Sequence, residues 1–354
     1  MSLRIIKPGL HTTVQDLGRP GWRRFGIPEG GAMDSIALRT ANLLVGNAPG
    51  AAGLELTLNG PELLAEEAML IAVCGADLAP SIEGEALPLW RPVWIGAGTV
   101  IHFGSAASGC RAYVAAAGGI AAEAALGSRS TDTRAGIGGI AGRKLRSGDV
   151  LPLGSAAPWA AAWHAALAAR AAAAPQGQGR RSWAAPGWFA PPPPQAHALL
   201  PGSANPAGIR LRVMPGAEYG QFREAARTAF MRERYRVAPA SDRMGVRLEG
   251  PPLPMEDSEE LLSHGVIAGT IQVPRGGAPI ILGADCQTTG GYPKLAHVIT
   301  ADLPLLAQCK PGDSITFEEV TLAEAQRRNR EQERGMRQLA AVLAICQKPS
   351  WKLL

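Results

Sequence analysis

Apolar positions along this chain fall in short runs broken by glycine and proline, without a sustained 3.6-residue repeat. Residues 68–73, 93–95, 99–103, 111–116, 210–214, 266–273, 278–282, 296–299 and 314–317 are runs of this kind. Short apolar runs bounded by turn formers predict β-strands joined by tight loops. Helical signals are sparse. Asp34-Ser35 offers an N-cap for a helix through about residue 45, which Gly46-Asn47 would close. Further helices are expected over 219–231, over the Ala-rich run 159–174, and over 322–345, which is Arg-rich early and apolar late. The pattern predicts a chain that is mainly β with a few helices.

Length and composition place these elements in more than one body. A chain of 354 residues is long for one domain, and Gly 43 with Pro 29 argues against a helical bundle. Residues 156–207 stand apart: an Ala-rich run, a Gly/Gln/Arg stretch, then Pro191-Pro192-Pro193-Pro194, which favours polyproline II. The expected organisation is a β subdomain over 1–155, a linker over 156–207, a second β subdomain over 208–320, and a C-terminal helix and tail over 321–354. The two halves share fragments. Residues 58–63 echo 248–253, residues 73–78 echo 282–286, and Arg146-Ser147-Gly148-Asp149 echoes Lys310-Pro311-Gly312-Asp313. Three echoes suggest a duplicated, barrel-like β domain.

Charge and cysteine usage narrow the chemistry. The net charge of +5 is spread without a basic stripe interleaved with aromatics, so nucleic acid is not an expected partner. The five cysteines are scattered and form no Cys-x-x-Cys pair, so no metal site is expected. The first residues lack the apolar core of a signal peptide, and no run is long enough to span a membrane. A cytoplasmic protein with no membrane contact is expected.

The segment 280–294 carries the densest candidate chemistry. An apolar run, Ile280-Ile281-Leu282, leads into Asp285, Gln287, Thr288, Thr289, Gly290, Gly291, Tyr292 and Lys294. Polar groups at the end of a buried strand are costly unless they bind a ligand or one another. The paired glycines would let the backbone take positive φ and approach a ligand. Asp285 either acts as a base beside a cation or caps its own turn. Gln287, Thr288 and Thr289 suit an amide or ureido group, and Tyr292 closes the same loop. Arg243, Arg247 and Lys294 are candidate partners for a carboxylate. Gln272, alone between Ile271 and Val273, needs partners of its own. His264 and His297 titrate in the neutral range if unperturbed. Gln15-Asp16 with Gly18-Arg19 forms a polar turn with a role in the fold or in partner contact. No Gly-x-x-x-x-Gly-Lys-Ser/Thr loop and no Met-Lys-Met biotin-attachment motif occurs.

Several of these stretches together resemble a known family. They are 8–21 (Pro-Gly-Leu-His-Thr-Thr-Val-Gln-Asp-Leu-Gly-Arg-Pro-Gly), Gly30-Gly31-Ala32-Met33-Asp34, Ser241-Asp242-Arg243-Met244-Gly245-Val246-Arg247-Leu248, Gly269-Thr270-Ile271-Gln272-Val273-Pro274 and the 285–294 segment. In this order they are similar to the allophanate hydrolase subunit 2 family, which includes the C-type subunit of 5-oxoprolinase and KipA. The resemblance implies two tandem cyclophilin-like β-barrel subdomains. It also implies a subunit-1-like partner, of the KipI type or the B-type subunit of 5-oxoprolinase, and, for 5-oxoprolinase, a further subunit.

The activity implied first is ATP-dependent opening of 5-oxoproline, with ATP used by the complex. Asp285, Gln287 and Lys294 would be catalytic. Arg243, Arg247, Gln272, Thr288, Thr289, Gly290, Gly291 and Tyr292 would bind substrate. The alternatives implied are biotin-dependent carboxyl transfer to a urea-like acceptor, with biotin on a separate chain, and a KipA-type regulator that sequesters its partner.

Overall fold

The computed structural model describes residues 1–173, 181–192, 208–255 and 261–346. Two stretches of the expected linker, 174–180 and 193–207, lie outside the described residues, and with them Pro193 and Pro194. The chain divides into two compact units, one of residues 1–18, 34–201 and 335–354, the other of residues 19–33 and 202–334. Both are mainly β, as the run pattern predicts.

The first unit holds two six-stranded antiparallel sheets. One runs in the order Val150–Pro152, Ser2–Lys7, Glu62–Ala65, Val100–His102, Ser81–Ile82, Glu85–Ala86. The other runs Trp183–Ala184, Pro92–Ile95, Met69–Asp77, Ser108–Ala116, Gly53–Thr57, His11–Gln15. Leu3, Ile5 and Leu63 from the first sheet join Leu54, Ile71, Val93 and Val114 from the second in one core cluster. Burial of this apolar surface is the main drive holding the sheets together.

Helix α1 (Ser35–Leu44) packs on the strands Met69–Asp77 and Ser108–Ala116. It starts where expected: the Asp34 carboxylate accepts from the Ala37 N–H at 2.9 Å. The Asp34 N–H donates to the Tyr113 hydroxyl at 2.7 Å, and that hydroxyl donates to Glu55 at 2.8 Å. Burial, reinforced by the Glu55 charge, pushes the Tyr113 phenol well above its ordinary pKa. Helix α2 (Pro158–Ala172), inside the expected linker, packs on the strands Pro92–Ile95 and Trp183–Ala184.

The Asp16 turn is structural. Its Oδ1 accepts from the Gly18 N–H (2.8 Å) and from the Ser128 and Ser130 hydroxyls (2.6 Å each), and its Oδ2 accepts from the Arg129 N–H (2.6 Å).

In the second unit seven strands close a barrel. The order is Ile209–Pro215, Lys294–Val298, Thr270–Gln272, Ile280–Leu282, Gly245–Glu249, Tyr235–Val237, Ser314–Glu319, and the last returns parallel to the first. Helix α3 (Glu224–Arg232) lays Phe230 against Phe317 with ring centroids 4.3 Å apart, and Tyr235 packs beside both. Helix α4 (Leu303–Ala307) follows, and helix α5 (Leu322–Cys346) begins in this unit, its residues from 335 on counting with the first.

Two expected elements are shorter than the sequence suggests. The helix over 219–231 begins as a separate 3-10 turn, Tyr219–Gln221, before α3. The strand over 266–273 is reduced to Thr270–Gln272, because Gly269 at φ +87° turns the chain just before it.

One sequence echo survives in detail. Asp149 accepts from the Arg146 N–H at 2.8 Å, and Asp313 accepts from the Lys310 N–H at 2.9 Å, each closing the turn before a strand.

Candidate functional site

The polar end of the strand Ile280–Leu282 is organised around an ion pair. Arg243 Nε donates to Asp285 Oδ2 at 2.8 Å and Nη2 donates to Oδ1 at 2.8 Å, a bidentate fork. The same Nη2 donates to the Gly31 carbonyl at 2.7 Å. Two backbone contacts hold the loop in place: the Asp285 N–H donates to the Arg243 carbonyl and the Gly30 N–H donates to the Ala284 carbonyl. Both side chains of the pair are largely buried. Arg19 arrives with the same 19–33 segment and is only 1% exposed. A Cβ on Gly30 would sit 3.4 Å from Arg19 Nη1 and 3.6 Å from Asp285 Oδ1, so these groups meet around one backbone position. With both oxygens accepting from Arg243, Asp285 serves here as a brace for the loop.

A second cluster lines the barrel strands next to that loop. Register between Thr270–Gln272 and Lys294–Val298 slips after Ile271, bringing Lys294 opposite Gln272. Lys294 is buried, and its Nζ donates to the Gly290 carbonyl at 2.8 Å. Glu218 reaches two neighbours, accepting from the Lys294 N–H at 2.8 Å and lying 3.1 Å from His264 Nε2. His297 Nδ1 is 3.2 Å from the Thr270 hydroxyl.

Burial pushes the Lys294 amine below its ordinary pKa, with the Glu218 charge opposing. Burial also lowers the His297 imidazole, opposed by Glu218 and aided by Lys294. The Gln287 and Gln272 amides lie 3.5 Å apart, and Gln272 Nε2 lies the same distance from the Tyr292 carbonyl. These are long contacts that hold the loop loosely. Gly290 and Gly291 are not in the positive-φ region expected of them. Gly290 is needed for space instead: a Cβ there would lie 2.3 Å from Gln272 Nε2.

The third feature is an open cleft of about 720 Å³ lined by Arg23, Arg24, Gly26, Gly265, Val266, Ile267, Thr288 and Thr289. A two-stranded ribbon, His264–Gly265 with Thr289–Gly290, sets the threonines beside the 265–267 backbone. Arg23 donates to the Val266 carbonyl, and the Arg24 guanidinium stacks 4.7 Å from the Phe25 ring centroid. Arg23 also approaches the buried Cys286 thiol, whose pKa burial raises and Arg23 partly restores.

The sequence-derived residues therefore fall into separate places within this unit. Asp285 and Arg243 form the brace. Gln272, Gln287, Gly290 and Lys294 join the barrel cluster. Thr288 and Thr289 line the cleft. Gly291 and the half-exposed Tyr292 follow the ribbon, and Arg247 is an exposed residue of the strand Gly245–Glu249. Sequence reasoning missed Arg19, Arg23, Arg24 and Glu218 as neighbours of this loop. The Arg23-Arg24 pair between Trp22 and Phe25 was the signal available for two of them. No helix among the described residues is long and apolar enough to cross a membrane.

This barrel, braced loop and polar cleft sit within a chain that belongs to the family described as carboxyltransferase domain, subdomain A and B, which matches residues 25–319. Among its relatives, the C-type subunit of 5-oxoprolinase from Escherichia coli is 38% identical over 96% of this chain and 97% of its own length. The same-named protein of Haemophilus influenzae is 36% identical over 94% of this chain and 95% of its own length. The crystal structure of Kluyveromyces lactis urea amidolyase superposes with a TM-score of 0.78 at 28% identity, over 96% of this chain and 20% of that one.

Proposed function

We propose that this chain is a subunit of an ATP-dependent 5-oxoprolinase, a cyclic-amide hydrolase. It acts with a partner of the KipI type, the B-type subunit of 5-oxoprolinase, and with a further subunit. The observation that carries this is the 38% identity to the C-type subunit of 5-oxoprolinase across nearly the full length of both chains.

The reaction adds a water oxygen to the lactam carbonyl carbon, breaks the ring C–N bond and gives the ring nitrogen a proton, yielding glutamate. Coupled hydrolysis of ATP to ADP and phosphate supplies the driving force, in the assembled complex. Thr288 and Thr289 hydroxyls at the cleft hold the ring amide. Lys294 is the candidate acid for the leaving nitrogen, since burial makes its ammonium a stronger acid. Asp285 holds the loop through Arg243, and Gln272 with Gln287 orients its amide edge.

The test is to purify the chain with its partners and follow 5-oxoproline-dependent ATP hydrolysis and glutamate release. Thr288→Val and Lys294→Met should lower glutamate release by at least about tenfold. A complete complex that releases no glutamate, or one in which Asp285→Ala releases it as fast as wild type, overturns the proposal.

A second function is favoured by the family match and the urea amidolyase likeness. It is carboxyl transfer from carboxybiotin, carried on a separate chain and released as biotin, to a urea-like acceptor. Carboxylation of urea by the complex without 5-oxoproline-dependent ATP hydrolysis would select it.

A further inference from the structure

The cations named from sequence for an anionic ligand are otherwise engaged or placed elsewhere. Arg243 forks onto Asp285, Lys294 Nζ is held at the Gly290 carbonyl, and Arg247 is an exposed strand residue away from the cleft lining. Two other cations, Arg23 and Arg24, line the cleft; Arg23 shares its guanidinium with the Val266 carbonyl, and Arg24 stacks on Phe25. Among the described residues no carboxylate lies within salt-bridge distance of either. Thr288, Thr289, Val266 and Ile267 line the same cleft. Ile267 in the lining is 57% exposed, and Phe25, next to Arg24 in the chain, is 61% exposed.

Two guanidiniums without acidic partners among the described residues, beside two threonines, make a site that attracts negative charge and repels cations. Guanidinium forks match the paired oxygens of a carboxylate or a phosphate. The apolar walls suit a compact carbon skeleton attached to that group, and the volume is within the range of small-molecule sites.

We propose that this cleft binds a small organic anion through its oxyanion group, with Arg23 and Arg24 as the recognising cations. This rests on the 5-oxoprolinase reading for the identity of the natural ligand, but not for the presence of an anion site. The oxyanion is either the carboxylate of the substrate or a phosphate, and the two are separable by experiment.

Binding to the isolated full chain would be measured by calorimetry with 5-oxoproline, with its carboxylate-free analogue 2-pyrrolidone, and with inorganic phosphate. Arg24→Gln, at an exposed position where folding is not at risk, should weaken anion binding roughly tenfold, the scale of one charge-assisted hydrogen bond. Arg23→Gln/Arg24→Gln should abolish it. Lys310→Gln, outside the cleft, should leave it unchanged. Binding of 5-oxoproline but not 2-pyrrolidone or phosphate identifies the carboxylate as the ligand group. Arginine-dependent binding of phosphate identifies phosphate.

Undiminished binding of every anion by the double variant, or no anion binding by wild type, overturns the proposal. The parent reading fails separately. A complex that releases no glutamate while anion binding still depends on Arg24 loses the 5-oxoprolinase reading and keeps the anion site. A double variant whose complex releases glutamate at the wild-type rate shows that the cleft does not hold the substrate carboxylate, and keeps the reading.

Discussion

Arg243 and Asp285 meet fork to fork, with both contacts at 2.8 Å and both side chains largely out of solvent. Removing one partner of such a pair strands a buried charge, at a cost of about 3–5 kcal/mol, whereas replacing both with apolar groups is often neutral. Asp285→Ala should therefore lower the urea midpoint sharply, and Arg243→Met/Asp285→Leu should recover most of the loss. An Asp285→Ala variant with a wild-type midpoint would show that the pair does not brace the loop. The double variant also separates folding from chemistry when glutamate release is measured.

His297 gives the second unit a pH dependence. Its folded pKa lies below the ordinary histidine value because burial disfavours the imidazolium, with Glu218 opposing and Lys294 aiding. A base with a lowered folded pKa takes up fewer protons folded than unfolded between the two values, so stability falls as pH drops from about 6.5 toward the folded pKa. Denaturant titrations at about pH 7.5 and 5.5 should show a larger acid-induced loss for wild type than for His297→Asn. Equal losses in the two proteins would remove His297 as the cause.

Tyr235 sits fully buried among Phe230 and Phe317, and its hydroxyl has no hydrogen-bond partner among the described residues. Burial pushes its phenol pKa up to about 12. A buried, unsatisfied hydroxyl costs about 1–3 kcal/mol, and an apolar replacement of the same shape removes that cost. Tyr235→Phe is expected to leave stability unchanged or raise it by up to about 1 kcal/mol. A loss of more than about 1 kcal/mol on thermal or urea unfolding would mean that the hydroxyl is satisfied in solution.

What was legible in the sequence was local. Asp34 and Gly46-Asn47 framed α1, and the apolar run at 111–116 lies inside the strand Ser108–Ala116. Ser2–Lys7 and His11–Gln15 escaped notice because their partners are distant, as in Leu3 with Ala65 and Val14 with Leu54, and because Thr12, Thr13 and Gln15 break the apolar signal. The 285–294 loop was visible as a cluster of polar residues at a strand end. Its neighbours were not. Glu218 and the 23–24 arginines come from remote stretches that only the closed fold brings to the loop. The expectation about Gly290 failed for a related reason, since its need is for room beside Gln272, and that contact spans 18 residues.

Residues 19–33 count among the second unit although their flanks count with the first. That assignment bears on how this gene can be cut, fused or shuffled. A fragment starting after the linker would carry the barrel but lack the Gly31 carbonyl that holds Arg243, as well as both arginines of the cleft. Exchanging C-terminal halves between homologues would pair each barrel with a foreign 19–33 segment. The inheritable module is thus discontinuous: fifteen N-terminal residues must travel with the barrel, as a peptide supplied in trans or as part of an uncut chain, for the cleft to be rebuilt.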